Sequence, residues 1–330
     1  MTTRGEFLST MTMAAATAAL PAFPSPMRKP PRLRAGDRVG LISPASPLAD
    51  GEIEKGIAHI RSLGLDPVLG RFVGAHSGYL AGSDEERAGD FNRMARNPSI
   101  RAIIAMRGGY GTMRILDMLD YAAIAADPKI VMGFSDLTAI LNAVARRCAV
   151  VTFHGPLAAR ESQFDGVTRE YVERVCMSAQ PIGTLRAPNA VALHAGSARG
   201  RIAGGNLSLV ASLVGTPWAP AFRDALLLLE ETEEEPYRID RMLTQLRLAG
   251  ALEAARGILF GACTHCEATG PSPTADQVLA ERLGGLGRPV LAGVPVGHIP
   301  EQWVLPIGLE GVLDASARSL DIPEAAVRPE

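Results

Sequence analysis

The ten residues Lys129 to Thr138, Lys-Ile-Val-Met-Gly-Phe-Ser-Asp-Leu-Thr, constrain the fold of this 330-residue chain more than any other stretch. Ile130, Val131 and Met132 form a short apolar run of strand character, and beyond Asp136 the residues Leu137, Ile140, Leu141 and Val144 recur at helical spacing. Ser135 therefore falls on a strand-to-helix turn. Gly133 relieves crowding before the bend, so a serine two residues later can hold its hydroxyl above the end of a sheet, toward the amide-rich start of the next helix. A nucleophile elbow is built this way, although Leu137 stands where the Gly-x-Ser-x-Gly pattern has its second glycine. The competing reading of Ser135 is a residue that only caps the helix.

The surrounding chain alternates strand and helix. Val39 to Ser43 reads as a first strand, Ile53, Ile57 and Ile60 line one face of a helix that stops at Gly64, and Pro67 to Leu69 is a second strand. Ser83 with Glu86 forms a capping box for a polar helix. A buried-strand run from Ile100 to Met106 breaks into Arg107-Gly-Gly-Tyr-Gly111, a further helix is expected through Met113, Leu116 and Leu119, and Ala149 to Phe153 is a strand leading to His154-Gly-Pro156. This order predicts an α/β fold with a doubly wound parallel sheet, whose loops at the strand C-termini are free for function. Gly108, Gly109 and Gly111 allow backbone N–H groups to turn outward as an anion nest. Phosphate is one ligand for such a loop, but the Lys-Ser/Thr of a P-loop and a full Gly-x-Gly-x-x-Gly are missing. The other reading is an oxyanion hole made by this loop and the amide of Asp136.

From 164 to 200 the pattern turns irregular and reads as a linker, so the expected division is a leader over 1–33, an N-terminal domain over 34–163 and a C-terminal domain over 201–330. In the last, Ala225 to Leu229 is a buried strand running into Glu230, Tyr237 to Leu246 a helix, and Gly257 to Gly261 another strand.

A net charge of −2 without clustered Lys or Arg argues against nucleic acid and anionic membrane surfaces as partners. No apolar run reaches the length of a membrane span. Thr3-Arg4-Gly5-Glu6-Phe7-Leu8-Ser9, followed by a weakly apolar stretch from Met11 to Leu20 and the proline-rich 21–31, resembles a twin-arginine leader with Gly5 in place of the second arginine. The preferred expectation is an exported, periplasmic protein, against a disordered leader or a misplaced start codon, in which case it is cytoplasmic. Four cysteines are too few for a disulfide scaffold, and Cys263-Thr-His-Cys266 has no second pair to complete a zinc site. Strand-end packing is the reading favoured for that pair over a metal or redox role.

A nucleophilic serine needs a base to take its proton and an acid to orient the base. Of six histidines, only His154 and His298 follow strands and precede a proline-containing turn, and a structural histidine bonded to backbone is the alternative for His298. Glu230 is the outstanding carboxylate because it ends the four-leucine strand, whereas Glu233 to Glu235 read as a solvated loop.

Taken together, Arg107-Gly-Gly-Tyr-Gly111, Gly133-Phe-Ser-Asp136, His154-Gly-Pro156, Gly204-Gly-Asn-Leu207, Leu229 to Arg241, Pro295-Val-Gly-His298 and Leu305-Pro-Ile-Gly308 resemble the LD-carboxypeptidase family of serine peptidases, which includes the microcin C immunity proteins. The resemblance implies a triad of Ser135, Glu230 and His298, with Asp136 and Gly108 or Gly109 supplying oxyanion amides. It also implies a smaller C-terminal α/β domain of swivelling, barrel-like form, a site between the domains, a homodimer, and a reaction that needs no metal or other cofactor. The implied activity is removal of the terminal D-alanine from murein tetrapeptide, with hydrolysis of peptidyl-nucleotide toxins as the alternative and a binding protein without activity as a third reading. One departure is Glu231, where the family commonly has Asp.

Overall fold

A computed structural model of the chain describes residues 20–160, 164 and 166–329. The expected leader lies mostly outside the described residues, but residues 20–33 lie against the fold: Arg28 bridges to Val150, Pro31 bridges to Arg328, and Leu33 is buried. A proline-rich segment cannot join a sheet interior, yet it can run extended along one and lend its carbonyls, as Pro24 does to Arg201.

The N-terminal sheet has six strands in the order Leu305–Ile307, Thr152–His154, Ile130–Gly133, Ile100–Ala105, Arg38–Ile42 and Asp66–Leu69. Five are parallel, as the strand and helix alternation predicts. The sixth, Leu305–Ile307, comes from the C-terminal half and pairs antiparallel with Thr152–His154. Its Pro306 is tolerated because the strand lies at the sheet edge. The capping box at Ser83 and Glu86 is present. The helix expected through Met113 to Leu119 is instead a 3₁₀ segment, Thr112–Met118.

The second sheet has eight strands in the order Gly183–Arg186, Ser319–Ile322, Glu310–Asp314, Ser197–Asn206, Ala225–Thr232, Gly257–Thr264, Val290–Ala292 and Val191–His194. Its two edges, Gly183–Arg186 and Val191–His194, are joined by residues 187–190 alone. Flat, eight strands would span roughly 34 Å, whereas that connection reaches at most about 17 Å. The sheet must therefore curl toward closure, in line with the barrel-like form expected. The stretch 164–200, read as a linker, holds the helical segments Gly166–Val172 and Glu173–Met177 and both of those edge strands. Its short, irregular strands lack an apolar run because edge strands bury little.

Leu226 to Leu229 are all fully buried. Leu226 and Leu228 join a core shared with Leu41, Met132 and Phe153 of the first sheet, while Leu227 and Leu229 pack with Ile239, Leu243 and Val278 under the outer helices. Burying such a leucine contributes about 1.5–3 kcal/mol, so the two-faced burial fixes the register of the strand that carries Glu230, which runs two residues past it to Thr232 rather than ending there as expected.

Candidate active site

The strand-to-helix turn at Ser135 forms as the sequence predicts. Lys129 is buried and anchors the strand start, its ammonium donating to the carbonyls of Asn97 (3.0 Å) and Ile100 (2.8 Å) and to Asp127 (2.6 Å). The strand Ile130–Gly133 then turns through Phe134 into a 3₁₀ turn, Ser135–Leu137, that continues as the helix Thr138–Cys148. Ser135 sits at φ 61°. A non-glycine residue held in the left-handed region stores strain of about 1–3 kcal/mol. Leu137 explains why one glycine suffices: a Cβ on Gly133 would lie 2.8 Å from Leu137 Cγ, so Gly133 makes room for the leucine that replaces the second glycine.

Gly108 lies directly against the serine. A Cβ there would come within 2.9 Å of Ser135 Cβ, 3.0 Å of its Oγ and 3.6 Å of the Asp136 amide nitrogen. Ser46 braces the loop from behind: its amide donates to the Gly108 carbonyl at 3.3 Å, and its hydroxyl accepts from Tyr110 N at 3.1 Å. Gly109, at φ 111°, has no room for a side chain because its Cβ would collide with Ser46 Oγ. The Asp136 side chain points inward, accepting from Thr112 N at 2.8 Å, while its own carbonyl accepts from the Thr112 hydroxyl at 2.5 Å. Burial outweighs these bonds and pushes its carboxyl up to about 6.

Two contacts carry the C-terminal half to this turn. Asn142 on the elbow helix exchanges hydrogen bonds with the backbone of Gly204, at 2.9 and 3.0 Å, and Thr138 accepts from Asn206 N at 2.9 Å. A Cβ on Gly205 would meet Thr138 Oγ1 at 2.5 Å. Asn206 pairs in register with Glu230, so docking of this helix fixes the position of Glu230 along its strand. The second contact is the edge strand Leu305–Ile307, which follows His298 by a few residues and lies beside His154.

Glu230 is fully buried and accepts from His298 Nδ1 at 2.8 Å. A carboxylate can only accept, so Nδ1 carries a proton, and Nε2 is the ring nitrogen turned away from Glu230. Gly297, at φ 121°, permits the approach, since a Cβ there would lie 2.8 Å from Glu230 Oε2. The His298 ring stands edge-on to Phe134, centroids 4.8 Å apart. Glu231 points to the other face, as strand alternation requires. It accepts from Asn206 Nδ2, from the amide and hydroxyl of Ser208, and from Thr232 N, at 2.7–2.9 Å. Burial raises its pKa even so.

Ser135, His298, Gly108 and Gly109 line one cleft of about 540 Å³, together with Glu52, Lys55, Arg107, Arg160, Glu233 and His265. A space of that size admits a short peptide. His154 stays out of it: fully buried, with neither ring nitrogen hydrogen-bonded among the described residues, it is pushed down to about 4 by burial. His59 meets the Ala158 carbonyl at 2.7 Å and His194 meets that of Gly284 at 3.0 Å. Cys263 and Cys266 touch at the end of their strand, sulfurs 2.8 Å apart. Among the described residues no group of three or more His, Cys, Asp and Glu could hold a metal ion, and no helix is long and apolar enough to cross a membrane. Sequence reasoning missed Arg160, Glu52 and Glu233 as cleft residues, and the signal for Arg160 was its place in a loop just past the C-terminal end of a parallel strand.

The class is set by the whole chain: two sheets of mixed α/β structure that meet at the cleft beside Ser135 and His298. The chain belongs to the LD-carboxypeptidase family: the family's N-terminal domain matches residues 39–155 and its C-terminal domain residues 199–313. It is 36% identical over 305 residues to a Bacillus subtilis protein named "Probable murein peptide carboxypeptidase", covering 91% of this chain and 95% of that one. With the murein tetrapeptide carboxypeptidase of Pseudomonas aeruginosa it shares 31% identity over 290 residues, 84% of this chain and 94% of the relative. The solved structure of the microcin C7 self immunity protein in complex with aspartyl sulfamoyl adenosine superimposes with a TM-score of 0.85 at 26% identity, covering 91% of this chain and all of the other.

Proposed function

We propose that the protein is a serine carboxypeptidase that removes the terminal D-alanine from murein tetrapeptide. The observation that carries this reading is the buried Glu230 bonded to His298 on the same cleft as Ser135. In this mechanism His298 Nε2 takes the Ser135 proton as Oγ bonds to the scissile carbonyl carbon, and the amides of Asp136 and of Gly108 or Gly109 receive the oxyanion. His298 then gives the proton to the leaving nitrogen as the C–N bond breaks. Water, activated by the same histidine, hydrolyses the acyl-enzyme. The names of the Bacillus and Pseudomonas relatives support the murein substrate. A cleft lined by both cations and carboxylates suits a peptide that carries both charges.

The likeness to the microcin immunity protein favours a second substrate, an aminoacyl-sulfamoyl nucleoside, cleaved by the same acyl transfer. Incubation with diaminopimelate-containing tripeptide, tetrapeptide and pentapeptide and with an aminoacyl-sulfamoyl adenosine, followed by mass analysis, separates the readings. Release of D-alanine from tetrapeptide alone is the expected result. Cleavage of the nucleoside conjugate with the tetrapeptide untouched overturns it, and inertness toward all four favours a binding protein.

A further inference from the structure

A carboxypeptidase must distinguish a terminal carboxylate from an internal amide, and the chain offers three cations on the cleft: Lys55, Arg107 and Arg160. In the proposed reaction the substrate's carboxylate sits two bonds from the leaving nitrogen, and that nitrogen takes its proton from His298. The receiving cation therefore belongs on the His298 side of Ser135, away from the amides that face the oxyanion. Arg107 adjoins Gly108 in the loop that supplies an oxyanion amide in that reaction, and it is occupied: its Nη1 donates to the Pro47 carbonyl at 3.1 Å and lies 4.0 Å from Glu52. Lys55 comes from the helix Glu52–Ser62 and already has a partner.

Arg160 meets the requirement. Its guanidinium lies 5.6 Å from the centroid of the Phe134 ring, the same ring that His298 meets edge-on at 4.8 Å. Phe134 immediately precedes Ser135, so one aromatic side chain holds both the histidine and the arginine beside the serine. The residue is exposed, and its carbon stem follows Ala158 and Ala159, both buried and held by backbone bonds to Ala105 and Met106. Burial lowers its pKa, the charges of Glu230 and Glu233 oppose that, and a guanidinium stays protonated throughout. Glu230 meets His298 through Oε2, and among the described residues no carboxylate stands at salt-bridge distance from the guanidinium. A planar fork of donors, kept charged and supported on an aromatic face, suits bidentate recognition of a carboxylate.

We propose that Arg160 is the specificity-determining residue that receives the free C-terminal carboxylate of the substrate, making the cleft that of an exopeptidase. The inference rests on the proposed reaction for the direction of the leaving group, and its test reads binding apart from turnover. In the Ser135→Ala protein, calorimetry compares tetrapeptide ending in D-alanine with the same peptide ending in D-alaninamide, with and without Arg160→Gln, and wild-type protein is assayed for D-alanine release in parallel. The expected result is a preference for the carboxylate on the order of a hundredfold with Arg160, collapsing to a few-fold in Arg160→Gln and partly restored in Arg160→Lys. The amide peptide should lose little affinity on Arg160→Gln. A preference unchanged by Arg160→Gln, an equal loss for both peptides, or no binding of either overturns the inference. Arg160-dependent preference in a wild-type protein that releases no D-alanine leaves the carboxylate site standing and removes the reaction instead.

Discussion

Replacing Glu230 by glutamine removes the charge behind His298 while keeping the size of the side chain and one oxygen able to accept from Nδ1. The 2.8 Å contact places the carboxylate about 4 Å from the centre of the charge that develops on the imidazole when it takes the serine proton. At an effective dielectric of about 20 that attraction is worth about 4 kcal/mol, or roughly a thousandfold in rate. Full burial of Glu230 leaves no water to replace the lost charge. Glutamine can also turn its amide NH₂ toward Nδ1, which forces the proton onto Nε2 and disables the base. Glu230→Gln should therefore lower kcat for D-alanine release by about 10³-fold with little change in KM, read by a coupled D-amino-acid oxidase assay. Glu231→Gln is the control, because its partners are Asn206, Ser208 and Thr232 rather than His298. It should lose mainly stability, about 1–3 kcal/mol by urea unfolding, with kcat of the folded protein within tenfold of wild type. Activity of Glu230→Gln within tenfold of wild type, or a greater kcat loss in folded Glu231→Gln, would refute the reasoning.

Ser135→Ala should reduce turnover by on the order of a thousandfold or more with the fold intact by circular dichroism, and near-normal activity discards the serine mechanism. Gly108→Ala should cost on the order of a hundredfold in kcat, since its Cβ would press on Ser135 Oγ from 3.0 Å; an unaffected kcat would show that the loop yields. Gly205→Ala should destabilise by about 2–4 kcal/mol, because its φ is 140° and its Cβ meets Thr138 at 2.5 Å, and an unchanged melting temperature contradicts the docking role given to this strand. Asp136 has a folded pKa raised to about 6, so the native state holds its proton more tightly than the unfolded chain. The stability this contributes is present below the unfolded value near 4 and is lost as pH rises through about 6. Asp136→Asn should remove that loss, making the variant gain on wild type between pH 4 and pH 6 in urea titrations; a constant difference across that range refutes the assignment.

Much of the site could be read from residue order because its parts are local. An apolar triplet, a glycine and a following helical period determine a strand-to-helix turn, and the backbone then has few ways to hold Ser135, of which φ 61° is one. Alternation along four leucines likewise determines that Glu230 and Glu231 face opposite ways. The antiparallel edge strand Leu305–Ile307 was not legible, since three residues around a proline carry no periodic signal and the pairing partner lies in the other half of the chain. Nor was the part played by the stretch 164–200, whose strands bury too little to leave an apolar pattern.

Sequence by itself determined the strand-to-helix turn at Ser135, the alternating elements of the first sheet and the buried four-leucine strand that carries Glu230, because each follows from steric or hydrophobic rules acting over a few residues; it did not determine that this strand runs on to Thr232. Tertiary structure decided that His298, rather than the equally placed His154, meets Glu230: burial closes His154 off while Gly297 brings His298 to the carboxylate. It also decided that Arg160 shares the ring of Phe134 with that histidine. Such pairings depend on two domains docked through Asn142, Thr138 and the Gly204–Asn206 backbone, and contacts between residues far apart in the chain are selected by the packing of the whole molecule.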